Sequence, residues 1–261
     1  MTAMTDIRWN DTVRPPATTA EARLELAAVC RLVAREGIAP IGAARFAARD
    51  PAREGTYLVN PGGLLLDEIT ASALITVDCD GVRVTDGQNE PHSGALALVL
   101  AALEARPDAV AAAQVATAAG SVVASLQEGL LPITQTAFMF HGAIGKHDWD
   151  PAVTASTLRE RMMAEMAEHQ TLLIPGRGLL VTGTTLAQTW KLLYFLDKCC
   201  RSQVEAMAVA NATGKPLTVP ADDVIEHAVM QSRSFIGHLR FVADWPSFLD
   251  QLDHEDPSYR D

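Results

Sequence analysis

Cysteine and aromatic residues are both scarce in this chain, with four cysteines in 261 residues and 5% aromatics. Four cysteines cannot staple a chain of this length, and Cys30, Cys79, Cys199 and Cys200 match no zinc-ligand spacing. Basic charge is in deficit too: 21 Lys and Arg face 32 Asp and Glu, a formal charge of −11. Such a surface repels a phosphate backbone and argues against a nucleic-acid binder. No apolar run is free of charge over membrane length, because the most apolar stretch, 95–123, contains Glu104, Arg106 and Asp108. The first twelve residues lack the apolar centre of a signal peptide. What remains is a globular protein, expected in the cytoplasm, whose 48% apolar content can supply a core.

Periodicity divides the chain into a flexible arm over 1–18, one domain over 19–240 and a charged, peripheral tail over 241–261. Helical spacing of apolar residues predicts helices around 20–36, 93–105, 118–126, 158–169, 185–210 and 222–236. Short strands are expected at 43–48, 56–59, 73–77, 82–84 and 109–113. A further strand at 172–174 is broken by Pro175-Gly176-Arg177-Gly178 and resumes at 179–181. This alternation gives an α/β domain with helices layered on a mixed sheet. The strand at 109–113 is so small in side chain that something must fill the space above it, either a bulky neighbour such as Phe138 or Phe140, or a ligand.

Several segments resemble the class II aldolase/adducin family. They are Leu58-Val-Asn60-Pro-Gly62-Gly, Arg106-Pro107-Asp108 ahead of a small-residue strand, Leu130-Leu-Pro132-Ile-Thr134-Gln135, and Gly178-Leu-Leu-Val-Thr-Gly183. Tyr194-Phe-Leu-Asp-Lys-Cys-Cys200 continues the match in order, and the tail is similar to a hydroxy-aromatic-acid decarboxylase-like subgroup. The resemblance implies a three-layer α/β/α domain with a central mixed, largely antiparallel sheet. It also implies a homotetramer with active sites between subunits, and a divalent metal that polarises a carbonyl.

The sequence departs from the family at that metal. The positions matching a His-x-His pair are Gln114 and Ala116, and the third histidine is matched by Arg177. An amide is a weak ligand, a methyl is none and a guanidinium repels the ion. The expectation is therefore a site with no metal and no cofactor. Arg177 between two glycines could clamp a carboxylate or phosphate bidentately, or fill the metal void and pair with an acid. Arg45 is a second clamp or an ordinary surface arginine. Gln114 orients a ligand oxygen or satisfies a loop. Asn60 and Gly62 shape a loop or border the ligand. His92 and His141 are the candidates for proton transfer beside Arg177, His92 alternatively being part of a capping turn. A third reading moves a metal to His92, His141 and His147.

Two functions follow. One is a metal-independent carbon–carbon lyase, of aldolase or decarboxylase type, or a small-carboxylate binder that uses arginines in place of the metal. The other is a non-catalytic oligomeric scaffold that keeps the fold. The partner expected is a small anionic ligand, with no nucleic acid and no membrane.

Overall fold

The computed structural model describes residues 13–91, 96–236 and 245–261, the side chains of 232–236 excepted. In chain order the helices are α1 (Thr19–Arg35), α2 (Ala97–Ala105), α3 (Ala118–Ala124), α4 (Gln135–Phe140), α5 (Ala155–Glu168), α6 (Leu186–Thr213), α7 (Asp222–Ile236) and α8 (Trp245–Glu255). The strands are β1 (Ala44–Arg49), β2 (Tyr57–Val59), β3 (Ile75–Val77), β4 (Ala111–Val115), β5 (Ile144–Lys146), β6 (Thr171–Ile174) and β7 (Gly178–Gly183).

Threonine starts five of these helices. The hydroxyls of Thr18, Thr117, Thr134, Thr154 and Thr185 accept backbone N–H groups at the heads of α1, α3, α4, α5 and α6. Gly214, at φ 64°, closes α6 in the left-handed region.

The strands form one sheet in the order β3-β2-β1-β4-β7-β6-β5. Every neighbouring pair is antiparallel except β5 and β6. That parallel pair needs a crossover, which α5 supplies. Residues alternate between the two faces. Ala111, Ala113 and Val115 of β4 join the core shared with α1, α3 and α6, whereas Ala112 faces the core built by α2 and α5. Three layers result, as the sequence led us to expect.

The fillers above the alanine strand include more than the phenylalanines anticipated. Trp190 of α6 is 1% exposed and covers one face; the apolar residues of α2, buried nearly all round, cover the other. An alanine-rich strand admits a helix close on both sides, and large side chains from those helices then occupy the volume. Phe140 is buried in the α6-side core as well.

Four expectations need correction. The segment around Arg177 is a hairpin and not one interrupted strand. Pro175 and Gly176 (φ 72°) occupy the corner of a tight turn, and the Arg177 N–H donates to the Ile174 carbonyl at 2.9 Å. The return strand at 82–84 shrinks to a single bridge between Val77 and Arg83, since Val82 and Val84 stay exposed and have no face to bury. Strand β5 was not foreseen; its three residues, Ile-Gly-Lys, carry no alternation to read. The tail is not peripheral. Trp245, Leu252 and Tyr259 are buried in the α1-side core. Arg31 of α1 binds Asp256 and Ser258, both at 3.0 Å, and Ala71 N–H donates to the Tyr259 carbonyl. Polar residues outnumber these apolar anchors in the segment, which hides them from a composition reading.

Of the expected N-terminal arm, 1–12 lie outside the described residues, and Arg14 pairs with Glu21 of α1 at 3.0 Å. Among the described residues no helix is long and apolar enough to cross a membrane.

Candidate functional site

Register brings the site together. The β1–β4 pairing sets Arg45 directly opposite Gln114, and β4–β7 sets Gln114 opposite Leu180. All three therefore share the sheet face that carries α2 and α5. Gln114 is 4% exposed and its Nε2 donates to the Arg177 carbonyl at 2.6 Å. A carbonyl only accepts, so the amide nitrogen must point at it. The hairpin can come this close because residue 178 is glycine. A Cβ there would meet the Val115 carbonyl oxygen and lie 2.7 Å from the Ala116 Cα, and φ is +84°.

Both arginines are incompletely satisfied. Arg45 is 8% exposed, and its Nη1 donates to the carbonyls of Gly42 (3.0 Å) and Ala44 (2.6 Å). Arg177 lays its guanidinium over the Trp149 ring, 4.8 Å from the centroid. The Nε of each arginine is buried without a hydrogen-bond partner. Among the described residues neither arginine has an ion pair with a carboxylate. Burial first, and then the charge of Arg177, push the Arg45 guanidinium below its ordinary value. It remains a cation, because no ordinary environment neutralises arginine.

A cleft of about 220 Å³ opens beside Arg177, with Trp149, His147, Arg161, Leu98 and Val153 among its walls. His147 follows β5 and is 1% exposed; its Nδ1 lies 2.7 Å from Glu165 Oε2 on α5. Arg161, one turn earlier on α5, reaches the Asp148 carbonyl at 3.4 Å. Apolar walls with a few convergent polar groups are the usual make-up of a small-molecule site.

The other expected site residues are placed differently. Asn60 accepts from Phe46 N–H at 2.9 Å and donates to the Ala44 carbonyl at 3.4 Å, so it ties the end of β2 to β1 beside Arg45. Gly62 N–H donates to the Glu90 carbonyl at 3.0 Å and anchors its loop to the segment ahead of α2. His141 is exposed at the end of α4 and is not among the cleft's walls. His92 lies outside the described residues. The structure thus brings Arg45, Gln114 and Arg177 together and leaves His141 apart. Sequence reasoning overlooked Arg161 and the His147–Glu165 pair. The adjacency of His147 and Trp149 in His147-Asp-Trp149 was a usable signal. The pairing across 18 residues was not.

The metal that the resemblance implies does not fit these donors. Gln114 spends its nitrogen on a backbone carbonyl, Ala116 offers a methyl, and Arg177 is a cation stacked on an indole. Of the displaced set His92, His141 and His147, His92 lies outside the described residues. Among the described residues no three His, Cys, Asp or Glu side chains stand close enough to hold an ion.

Comparison with known proteins agrees with this architecture. The "Putative aldolase class 2 protein" of Caulobacter vibrioides is 31% identical over 241 residues, covering 92% of each chain. "Decarboxylase NovR" of Streptomyces niveus is 30% identical over 193 residues, covering 73% of this chain and 68% of that one. The crystal structure of an aldolase II superfamily protein from Pseudomonas syringae superposes with a TM-score of 0.83 at 29% identity, covering 96% of this chain and 98% of the other. Residues 24–204, which include every strand and the arginine pair, match the model of the class II aldolase and adducin N-terminal domain, and to that family this chain belongs.

Proposed function

We propose that this protein binds a small carboxylate or phosphate beside Arg177 and acts as a metal-independent carbon–carbon lyase of aldolase or decarboxylase type. The observation that carries this reading is the pair of arginines flanking Gln114, Arg45 opposite it on β1 and Arg177 at the hairpin whose backbone carbonyl it binds, each with a buried Nε lacking a partner and neither paired to a carboxylate among the described residues. An oxyanion is the chemical complement of such a pair. Arg177 would grip the anion, and Arg45 would add positive potential from the adjacent strand. Gln114 holds the Arg177 backbone in place. Positive charge fixed at this point also suits a developing oxyanion when a carbon–carbon bond breaks. The name of the Streptomyces niveus relative is in keeping with the decarboxylase form of this reading. We place the protein in the cytoplasm as a homotetramer, in line with the family resemblance.

The scaffold reading keeps one specific observation in its favour: Trp149 already covers a face of Arg177. Trp149 is itself 41% exposed, however, so this cover stands at the mouth of the cleft and not in its depth. A calorimetric titration decides between the two, with pyruvate, 4-hydroxybenzoate and inorganic phosphate as probes. Binding by the wild type that weakens in Arg177→Ala supports the anion site. Failure of all three probes to bind overturns it in favour of the scaffold. Light scattering after gel filtration tests the tetramer.

A further inference from the structure

The His147–Glu165 pair has no part in the scheme above, yet its histidine sits in the wall of the same cleft. His147 Nδ1 and Glu165 Oε2 are 2.7 Å apart, and the imidazole is 1% exposed. A carboxylate only accepts here, so a ring hydrogen lies on Nδ1, and Nε2 is the nitrogen left for exchange. No hydrogen bond to Nε2 is made by any described residue. The ring is also held by its backbone, since the His147 N–H donates to the Leu173 carbonyl at 3.0 Å. A fixed imidazole with one nitrogen anchored on an acid and the other turned to a cleft is equipped to exchange a proton with a ligand.

We propose that His147 is the proton-exchanging group of this cleft, with Glu165 as its positioning residue, and that it takes up a proton when an anion binds beside Arg177. The inference rests on the anion reading given above. Nε2 gains a hydrogen from solvent as the negative charge arrives, and the Glu165 carboxylate stabilises the imidazolium. When the ligand's bond to its carboxylate carbon breaks, that carbon leaves as carbon dioxide and the electron pair stays on the retained fragment. The Nε2–H bond then breaks, the fragment's C–H or O–H bond forms, and the ring returns to neutral. No oxidant or reductant is required.

The charged surroundings set the direction of the effect. On α5, Glu165 favours the protonated ring and Arg161 opposes it. From the hairpin, Arg177 opposes it as well. The loop that follows contributes Asp148 and Asp150, of which Asp150 lines the cleft. Lys146 is turned away, its Nζ tied to the carbonyls of Leu126 and Gln127 at 2.9 and 2.6 Å. The α2 residues of the wall, Ala97 and Leu98, are apolar, as is Leu173 of β6. A bound anion offsets the cations and tips the balance toward protonation.

The test is calorimetric titration with pyruvate and with sulfate, neither of which titrates near neutrality. Each is measured at about pH 7.5 in buffers of different ionisation heat, which gives the protons taken up per ligand. The expected result is a measurable uptake, at most about one proton, that disappears in His147→Gln while the anion still binds. Binding without uptake, or uptake that persists in His147→Gln, overturns this inference and leaves the anion reading standing. Failure of both anions to bind sinks the two together. Should His147→Gln not fold, Glu165→Gln and the nitrogen spectrum of the wild-type histidines serve instead. That spectrum should show His147 protonated on Nδ1, and hydrogen on Nε2 in the neutral protein would overturn the inference without any ligand.

Discussion

Strand β4 has two faces with opposite characters. Toward α1 and α6, Ala111, Ala113 and Val115 meet Trp190 and Phe46 in a core with hardly a polar group at its centre. Toward α2 and α5, Ala112 is equally buried, but the next residue on that side is Gln114, and beyond it lie Arg45 and Arg177. One face is closed along its whole length; the other ends in unsatisfied cations. A strand can carry both because successive side chains never share a face. Stability can therefore be concentrated on one side while the other bears groups that cost energy to bury.

The largest effect should come from breaking the closed face. Trp190→Ala removes its biggest buried side chain and should cost about 3–5 kcal/mol in a denaturant titration. Gly178→Ala attacks the junction with the open face. The new methyl would strike the Val115 carbonyl at a left-handed φ of 84°. A loss of about 2–3 kcal/mol is expected, with weaker anion binding because Arg177 is displaced. Arg177→Ala should do the reverse of Trp190→Ala. Stability should hardly change, while anion affinity falls by about tenfold to a hundredfold in the calorimeter.

The smallest effect concerns a blemish on the α1 side. Burial, and then the neighbouring Glu21, push the Glu25 carboxyl up to about 7, and its Oε2 is buried with no partner. The folded state thus holds this proton more tightly than the unfolded chain does. The favourable contribution is complete below the ordinary value of 4.5 and is lost as pH rises from there to about 7. Glu25→Gln should raise the urea midpoint at about pH 8 and leave it nearly unchanged at about pH 4, by an amount that partial exposure keeps small. An equal gain at both pH values would refute the assignment.

Much of this was legible beforehand. Helix α7 begins and ends at the bounds the apolar period predicts. That Gln114, Ala116 and Arg177 stand where the resemblance implies histidines is a matter of aligned residues and needs no structure. Strand β5 was not, because three residues give no period. The tail was misread because Trp245 and Tyr259 are single anchors spaced among charges, and only α1 shows what they dock against.

The sequence by itself determined the alternation of helices with short strands and hence helices layered on a mixed sheet, since that depends on local residue type and spacing. Only the tertiary structure decided that Arg45 stands opposite Gln114, that Trp149 covers Arg177, and that His147 meets Glu165. Those pairings join residues 18 to 69 positions apart. They are fixed by strand register and by a hairpin that closes on a glycine, and no local pattern encodes either.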